Sequence, residues 1–218
     1  MKSAILFGAT GLVGNNLLNL LIQNNNYSKI KIFTRKEIKI KNPKLEVHKI
    51  DFDKINDYAH LISGNDCFFC IGTTKKQTPS KIKYINTEYK LPVKIAKLAK
   101  DNNVDSFIYV SSGGANKNSK NLYLQNKGKA ESEIKKLSFN FIAIIKPSLL
   151  LGIRNETRIG ESIAQFFFKR LSYIFIGKMR SFKAIPAIDV AKAIIKIVEN
   201  KDSGIYFTSD KLEDFAKL

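Results

Sequence analysis

Over the first 150 residues, apolar and polar positions follow two alternating rhythms. A short apolar run, "SAILF" at 3–7, is stopped by Gly8. From Leu12 to about Gln23 the rhythm becomes helical, with Leu17, Leu18, Leu21 and Ile22 on one stripe, until "NNNYS" ends it. "KIKIFT" (29–34) alternates and is β-rich, which predicts a second strand, and "KLEVHKI" (44–50) predicts a third. "INDYAHLI" (55–62) reads as a short helix and "SGND" as a turn. "DCFFCI" (66–71) is apolar throughout, as a strand covered on both faces would be. A long helix is expected over about 82–101, with Ile95, Leu98 and Ala99 facing inward. "DSFIYVS" (105–111) predicts strand five, 122–137 a helix, and "NFIAIIKP" (140–147) strand six, closed by Pro147. Beyond it the regularity drops, with helices expected at 159–177 and 187–199 and a late strand in "GIYFTS" (204–209).

Strand and helix in repeated alternation predict an α/β fold: a doubly wound parallel sheet with a short, partly helical C-terminal region. No linker, repeat or low-complexity tract marks a second domain, so residues 1–218 are expected to form one domain. Residues from about 150 to 218 would cap the carboxyl edge of the sheet and shape a pocket there. The apolar "IAQFFFKRLSYIFIG" (163–177) is expected as core or pocket wall, with a dimer face or a membrane contact through Phe166, Phe167 and Phe168 as the other readings. The chain is expected to be a monomer or a homodimer.

Composition changes this picture little. The hydrophobic fraction of 44% and charged fraction of 26% are those of a globular protein. No stretch approaches the ~18 apolar residues of a spanning helix. "MKSAILFGATG" has too short an apolar run for a secretory signal, so a cytoplasmic protein is expected. Lys and Arg number 37 against 19 Asp and Glu, a net charge of +18 that would suit an anionic partner. The lysines are scattered over every segment, however, which reads as compositional bias and not as a nucleic-acid stripe. Cys67 and Cys70 form C-x-x-C inside a strand-type run, with no second Cys pair and only His48 and His60 as further soft ligands. Zinc takes about four ligands, so two buried strand cysteines and no metal are expected.

The glycines carry more. Gly8, Gly11 and Gly14 stand at G-x-x-G-x-x-G spacing, directly after the first strand and at the opening of the first helix. In that context the loop would cradle a diphosphate on backbone N–H groups at the helix N-terminus, with Thr10, Leu12 and Val13 completing the turn. Gly14 would let the helix pack close to the strand. NAD binders place an acid at the tip of the second strand; here the tip reads Thr34, Arg35, Lys36. Two cations suit a 2′-phosphate, so NADP(H) is expected over NAD(H). Asp51 and Asp53, after strand three, could accept from an adenine amino group, or Asp53 could cap a helix. Ile71 and Gly72 fall at the sheet's carboxyl edge, beside such a cofactor.

Ser111 and Ser112 end strand five, and the next helix carries Tyr123 and Lys127 one turn apart. A phenol with a pKa near 10 is a poor proton-transfer group at neutral pH. A nearby ammonium favours its phenolate, and a serine hydroxyl can hold a substrate oxygen while the proton moves. Together the three side chains suit hydride transfer at a carbon bearing oxygen.

"GATGLVG", "DFDKINDY", "CFFCIGTTK", "SSGGANKNSKNLYLQNKGKAE" and "KPSLLLGIRNETRIGE" together resemble the atypical short-chain dehydrogenases/reductases, and more narrowly the HIV Tat-interacting-protein-like oxidoreductases. The resemblance covers most of residues 1–170. It implies an NADPH-binding Rossmann fold, Tyr123 as the proton-transfer residue and Lys127 as its partner, also bonding the nicotinamide ribose. One of Ser111 and Ser112 would polarise the substrate. Arg35 and Lys36 would meet the 2′-phosphate, and Leu150 and Arg158 would lie near the nicotinamide end. Asn86 falls where many members of the superfamily keep an asparagine that supports the active-site lysine through water. After residue 175 the match is loose, although "PAIDVAKAIIKIVE" (186–199) resembles a helix of nucleotide-sugar epimerases, in which Asp189 would cap.

Three functions are therefore compatible with the chain. The first is an NADP(H)-dependent oxidoreductase acting on a small carbonyl or alcohol. The second is a non-catalytic NADP(H)-binding regulator on the same fold, which has no need of Tyr123. The third is a nucleotide-sugar epimerase or dehydratase, against which the short C-terminal region argues.

Overall fold

The computed structural model describes residues 1–152 and 183–218. Arg158, the helix expected over 159–177 and the three phenylalanines lie outside the described residues. In chain order the elements are β1 (Lys2–Phe7), α1 (Leu12–Gln23), β2 (Tyr27–Thr34), β3 (Leu45–Lys49), a 3-10 helix (Phe52–Leu61) and β4 (Asp66–Phe69). Next come α2 (Lys81–Ile85), a π-helical turn (Asn86–Lys90), α3 (Leu91–Asp101), β5 (Ser106–Val110), α4 (Leu122–Lys135) and β6 (Phe141–Lys146). A two-stranded ribbon follows, β7 (Leu150–Leu151) with β8 (Ile185–Pro186), then α5 (Ala187–Asn200), β9 (Tyr206–Thr208) and α6 (Ser209–Ala216).

Seven strands form one sheet in the order β3-β2-β1-β4-β5-β6-β9, and every pairing is parallel. Parallel strands require crossovers, and the helices supplying them cover both faces. On one face Leu17, Leu18 and Leu21 of α1 meet Val190, Ile194 and Ile197 of α5 and Leu212 of α6. On the other, Ile55, Ile95, Ala99, Ala130 and Ile134 close over Ile5, Phe7, Phe69 and Phe107. This is the doubly wound Rossmann architecture. The strand order reverses between β1 and β4, and the crevice outside their carboxyl ends is where such sheets take ligands.

Three expectations need adjustment. The helix expected over 82–101 is broken into α2, the π turn and α3, and Pro92 explains the break. It has no N–H to give the Glu88 carbonyl, and its ring would crowd that carbonyl in an unbroken α-helix. The short helix before β4 begins at Phe52, three residues earlier than its apolar pattern, because Asp51 caps it and not Asp53: the Asp51 side chain accepts from the Asp53 N–H. The C-terminal region, partly helical and with its late strand where expected as β9, adds one element that the pattern did not predict, α6. Asp189 lies in the first turn of α5, where it complements the helix dipole. Cys67 belongs to one core cluster and Cys70 packs against the other, so the two free thiols face opposite sides of the sheet.

Candidate functional site

The glycine loop is shaped by what it touches. Gly8 has φ of +90°, and a Cβ there would stand 2.7 Å from the Cys70 carbonyl carbon and 2.8 Å from the Ile71 nitrogen. The loop is therefore pressed against the end of β4. A Cβ on Gly14 would stand 2.1 Å from the Gly8 carbonyl oxygen, so α1 closes onto the loop itself and not onto the strand, as its spacing had suggested. Gly11 is the N-cap of α1 and supplies no capping side chain, and the first turn holds no acid. The N–H groups of Leu12, Val13 and Gly14 are thus left for an external acceptor, with the positive end of the helix dipole behind them. An anion such as a diphosphate fits this cradle. Thr10 is exposed at the loop, Val13 is buried in the core, and the Leu12 side chain reaches Gly152 beyond β7.

At the tip of β2 the Thr34 hydroxyl accepts from the Lys36 N–H and donates to its carbonyl, which closes a tight turn and leaves Arg35 and Lys36 exposed. Asp51, whose carboxylate caps the 3-10 helix, is exposed after β3. Ile71 and Gly72 continue β4 past Gly8 and reach the catalytic candidates: a Cβ on Gly72 would lie 4.0 Å from the Lys127 ammonium.

Tyr123 and Lys127 lie on the first two turns of α4. Asn121 caps this helix by accepting from the N–H groups of Tyr123 and Leu124 at 2.9 and 3.3 Å. Lys127 is only 2% exposed, donates to the Val110 carbonyl at 3.1 Å and lies over the Tyr109 ring. Burial alone would favour its neutral amine; Tyr109, Glu88 and Tyr123 outweigh that and hold the ammonium well above its ordinary range. Burial also pushes the Tyr109 phenol far up, so at neutral pH it is uncharged and the anion acting on Lys127 is Glu88.

The two serines part company. Ser111 is buried and donates its hydroxyl to Glu131 of α4, which also grips the Lys146 ammonium with both oxygens at 2.8 Å. Ser112 is half-buried in the loop that follows β5. That loop is fixed on α4, because the Asn116 N–H bonds the Leu124 carbonyl and Gly128 has no Cβ to collide with Asn116 and Lys117. Leu150 sits in the β7–β8 ribbon and packs against the core on the α1 side.

Sequence reasoning missed Glu88. It is fully buried, accepts from the Thr73 N–H at 2.5 Å and pairs with the Lys127 ammonium at 3.1 Å. The direct partner of the lysine is this acid, two residues beyond Asn86. A signal existed: Glu88 falls on the same helical stripe as Tyr84 and Ile95, and an acid on a core-facing stripe needs a partner.

The profile of the NAD(P)H-binding family matches residues 8–201. The chain belongs to that family. Within it, the relatives place the chain in the atypical short-chain dehydrogenase/reductase group, in the branch of the HIV Tat-interacting-protein-like proteins. It is 32% identical over 209 residues to protein HTATIP2 of Rattus norvegicus, covering 93% of this chain and 84% of that protein. It is 34% identical over 196 residues to the mitochondrial protein FMP52 of Meyerozyma guilliermondii, covering 88% and 83%. In fold it is similar to a UDP-N-acetylglucosamine 4-epimerase of Methanobrevibacter ruminantium M1, solved with UDP-N-acetylmuramic acid. The TM-score is 0.69 at 17% identity, over 98% of this chain and 80% of that one. The enzyme WbmH of Bordetella bronchiseptica, solved with NAD+, gives a TM-score of 0.70 at 17% identity, over 96% and 76%. The matched span begins at Gly8, the first glycine of the cradle.

Proposed function

We propose that this protein is an NADP(H)-dependent oxidoreductase of the short-chain dehydrogenase type, acting on a small carbonyl or alcohol through Ser112, Tyr123 and Lys127. The observation that carries the reading is Lys127, an ammonium buried at the carboxyl edge of the sheet one helical turn from a tyrosine. A buried ammonium needs a reason to be there, and compensating the charge of a proton-transferring phenol is one. The nicotinamide, when bound, supplies or accepts the hydride. Tyr123 gives a proton to the substrate oxygen in reduction and takes it in oxidation. Lys127 offsets the charge that develops on the tyrosine oxygen. Ser112, whose neighbour is engaged inside the protein, is the serine left to orient the substrate oxygen. Arg35 and Lys36, exposed at the β2 tip, favour NADP(H) because they suit the extra phosphate.

The test is a titration of the purified protein with NADPH and with NADH, read by nicotinamide fluorescence. Binding of NADPH at least tenfold tighter than NADH is expected, and Arg35→Ala should remove most of that preference. Tyr123→Phe should bind NADPH as the wild type does, yet lose turnover of aldehydes, ketones or quinones by about 100-fold or more. A protein that binds neither nucleotide, or a Tyr123→Phe variant with full turnover, would refute the proposal.

A further inference from the structure

Lys127 is faced by ionisable groups from four elements besides its own: Glu88 from the π turn, Tyr84 from α2, Tyr109 from β5 and Cys70 from the end of β4. Tyr123 faces it from its own helix. Burial pushes the Tyr84 phenol and the Cys70 thiol up to about 12, and Tyr109 higher still. At neutral pH these three are uncharged. Glu88 is the one carboxylate in contact with the ammonium among them.

Glu88 is also the only member of the set that joins Lys127 to the cofactor edge of the sheet. One of its oxygens accepts from the Thr73 N–H, immediately after Gly72, and the other faces the ammonium. Thr73 is itself locked, its hydroxyl bonded to that of Thr78 at 2.8 Å. The carboxylate therefore spans from the loop after β4 to α4, across the floor of the crevice. Its place depends on the irregular backbone. Glu88 lies at the centre of the π turn that Pro92 imposes, and such turns recur at functional sites because they re-aim side chains.

We infer that Glu88 is a positioning residue for the active site: it holds the Lys127 ammonium in place beside Tyr123 and ties it to the β4 loop that borders the cofactor crevice. This rests on the reading of Tyr123 and Lys127 as the proton-transfer pair. The pairing itself is independent of that reading and can be tested without turnover. An ammonium buried without its counter-ion gives up its proton readily, because desolvation then acts unopposed.

The experiment follows the Nζ chemical shift of Lys127 against pH in the full-length protein, with the signal assigned by its loss in Lys127→Met. In the wild type the ammonium should persist to at least pH 10. In Glu88→Gln, which keeps the shape and an acceptor for Thr73 but loses the charge, the midpoint should fall by at least one pH unit. Glu88→Asp, with the charge one methylene short, should fall between. Turnover in Glu88→Gln should drop by about tenfold or more, and Glu88→Asp should recover part of it. An acid that only stabilises the fold would leave the Lys127 titration and the turnover of the folded protein where they were, and that result overturns the inference. Should Glu88→Gln not fold, the double variant Glu88→Gln/Lys127→Met removes both charges and should regain the folded state; a double variant no better than the single one overturns the inference. If Lys127 shifts as expected but no variant and no wild-type protein turns over a carbonyl, the pairing stands and the oxidoreductase proposal fails.

Discussion

Ser111 donates its hydroxyl to Glu131, and that acid is already held by the Lys146 ammonium, so the serine belongs to a buried polar network between β5, β6 and α4, one turn along the helix from Lys127. Ser112 has no part in that network. Replacing Ser111 with alanine should cost about 1–3 kcal/mol of stability, the range for a buried hydrogen bond to a charged group, and leave turnover near the wild-type level. Replacing Ser112 should do the reverse, with stability within about 0.5 kcal/mol and turnover down on the order of 100-fold. Urea unfolding and NADPH-dependent turnover on the two variants decide it; a Ser112→Ala protein that works normally would reassign the substrate contact. Adjacent residues in the sequence gave no ground for choosing between them, since the choice is made by residues on α4 and β6.

For the first helix, spacing and packing set different demands on its glycines. Alanine at Gly14 would gain about 1 kcal/mol in helix propensity. Its Cβ would also meet the Gly8 carbonyl at 2.1 Å, and backbone cannot swing aside as a side-chain tip can. Overpacking of this kind costs about 1–3 kcal/mol, so the clash is expected to win and the urea midpoint to fall. At Gly11 the nearest atom to an added Cβ is 3.3 Å away, and alanine there should cost about 1 kcal/mol or less. Its methyl group would instead stand at the mouth of the anion cradle, so the loss should appear in NADPH affinity. Equal effects of both variants on stability and on binding would remove this distinction. The helix expected over 82–101 shows the converse limit: apolar spacing carried the pattern across Pro92, and the π turn that the proline forces is what aims Glu88 at Lys127.

Across the whole molecule, several acids are buried in their neutral forms. Burial raises the thiols of Cys67 and Cys70 above their ordinary 9.0 and the phenols of Tyr27, Tyr84 and Tyr109 above 10.0, with Cys70 and Tyr84 reaching about 12. In the unfolded chain these groups release their protons from about pH 9 upward. The native state keeps them longer and so binds more protons there, which makes stability fall with rising pH. The contribution is complete below about pH 9 and is lost between about pH 9 and 12. Lys127, also raised, adds to the same alkaline loss. Urea midpoints measured from pH 7 to 11 should decline above pH 9, less steeply in Cys67→Ala; a flat profile would contradict the buried neutral thiol. Among the described residues no helix is long and apolar enough to cross a membrane.

The amino-acid sequence by itself determined the parallel α/β alternation, the glycine turn after β1 and the Tyr123–Lys127 pair. Each is written in spacings of a few residues, where backbone periodicity and side-chain size act directly. Tertiary structure alone decided that Gly8 is pressed onto the Cys70–Ile71 backbone, that Ser111 is taken by Glu131, and that Lys127 is held by Glu88. Those contacts join separate segments of the chain, and they arise only once the crossovers have laid β4 beside β1 and α4 against the π turn, β5 and β6. A local stripe can mark Glu88 as buried, but charge pairing under burial is what selects Lys127 as its partner.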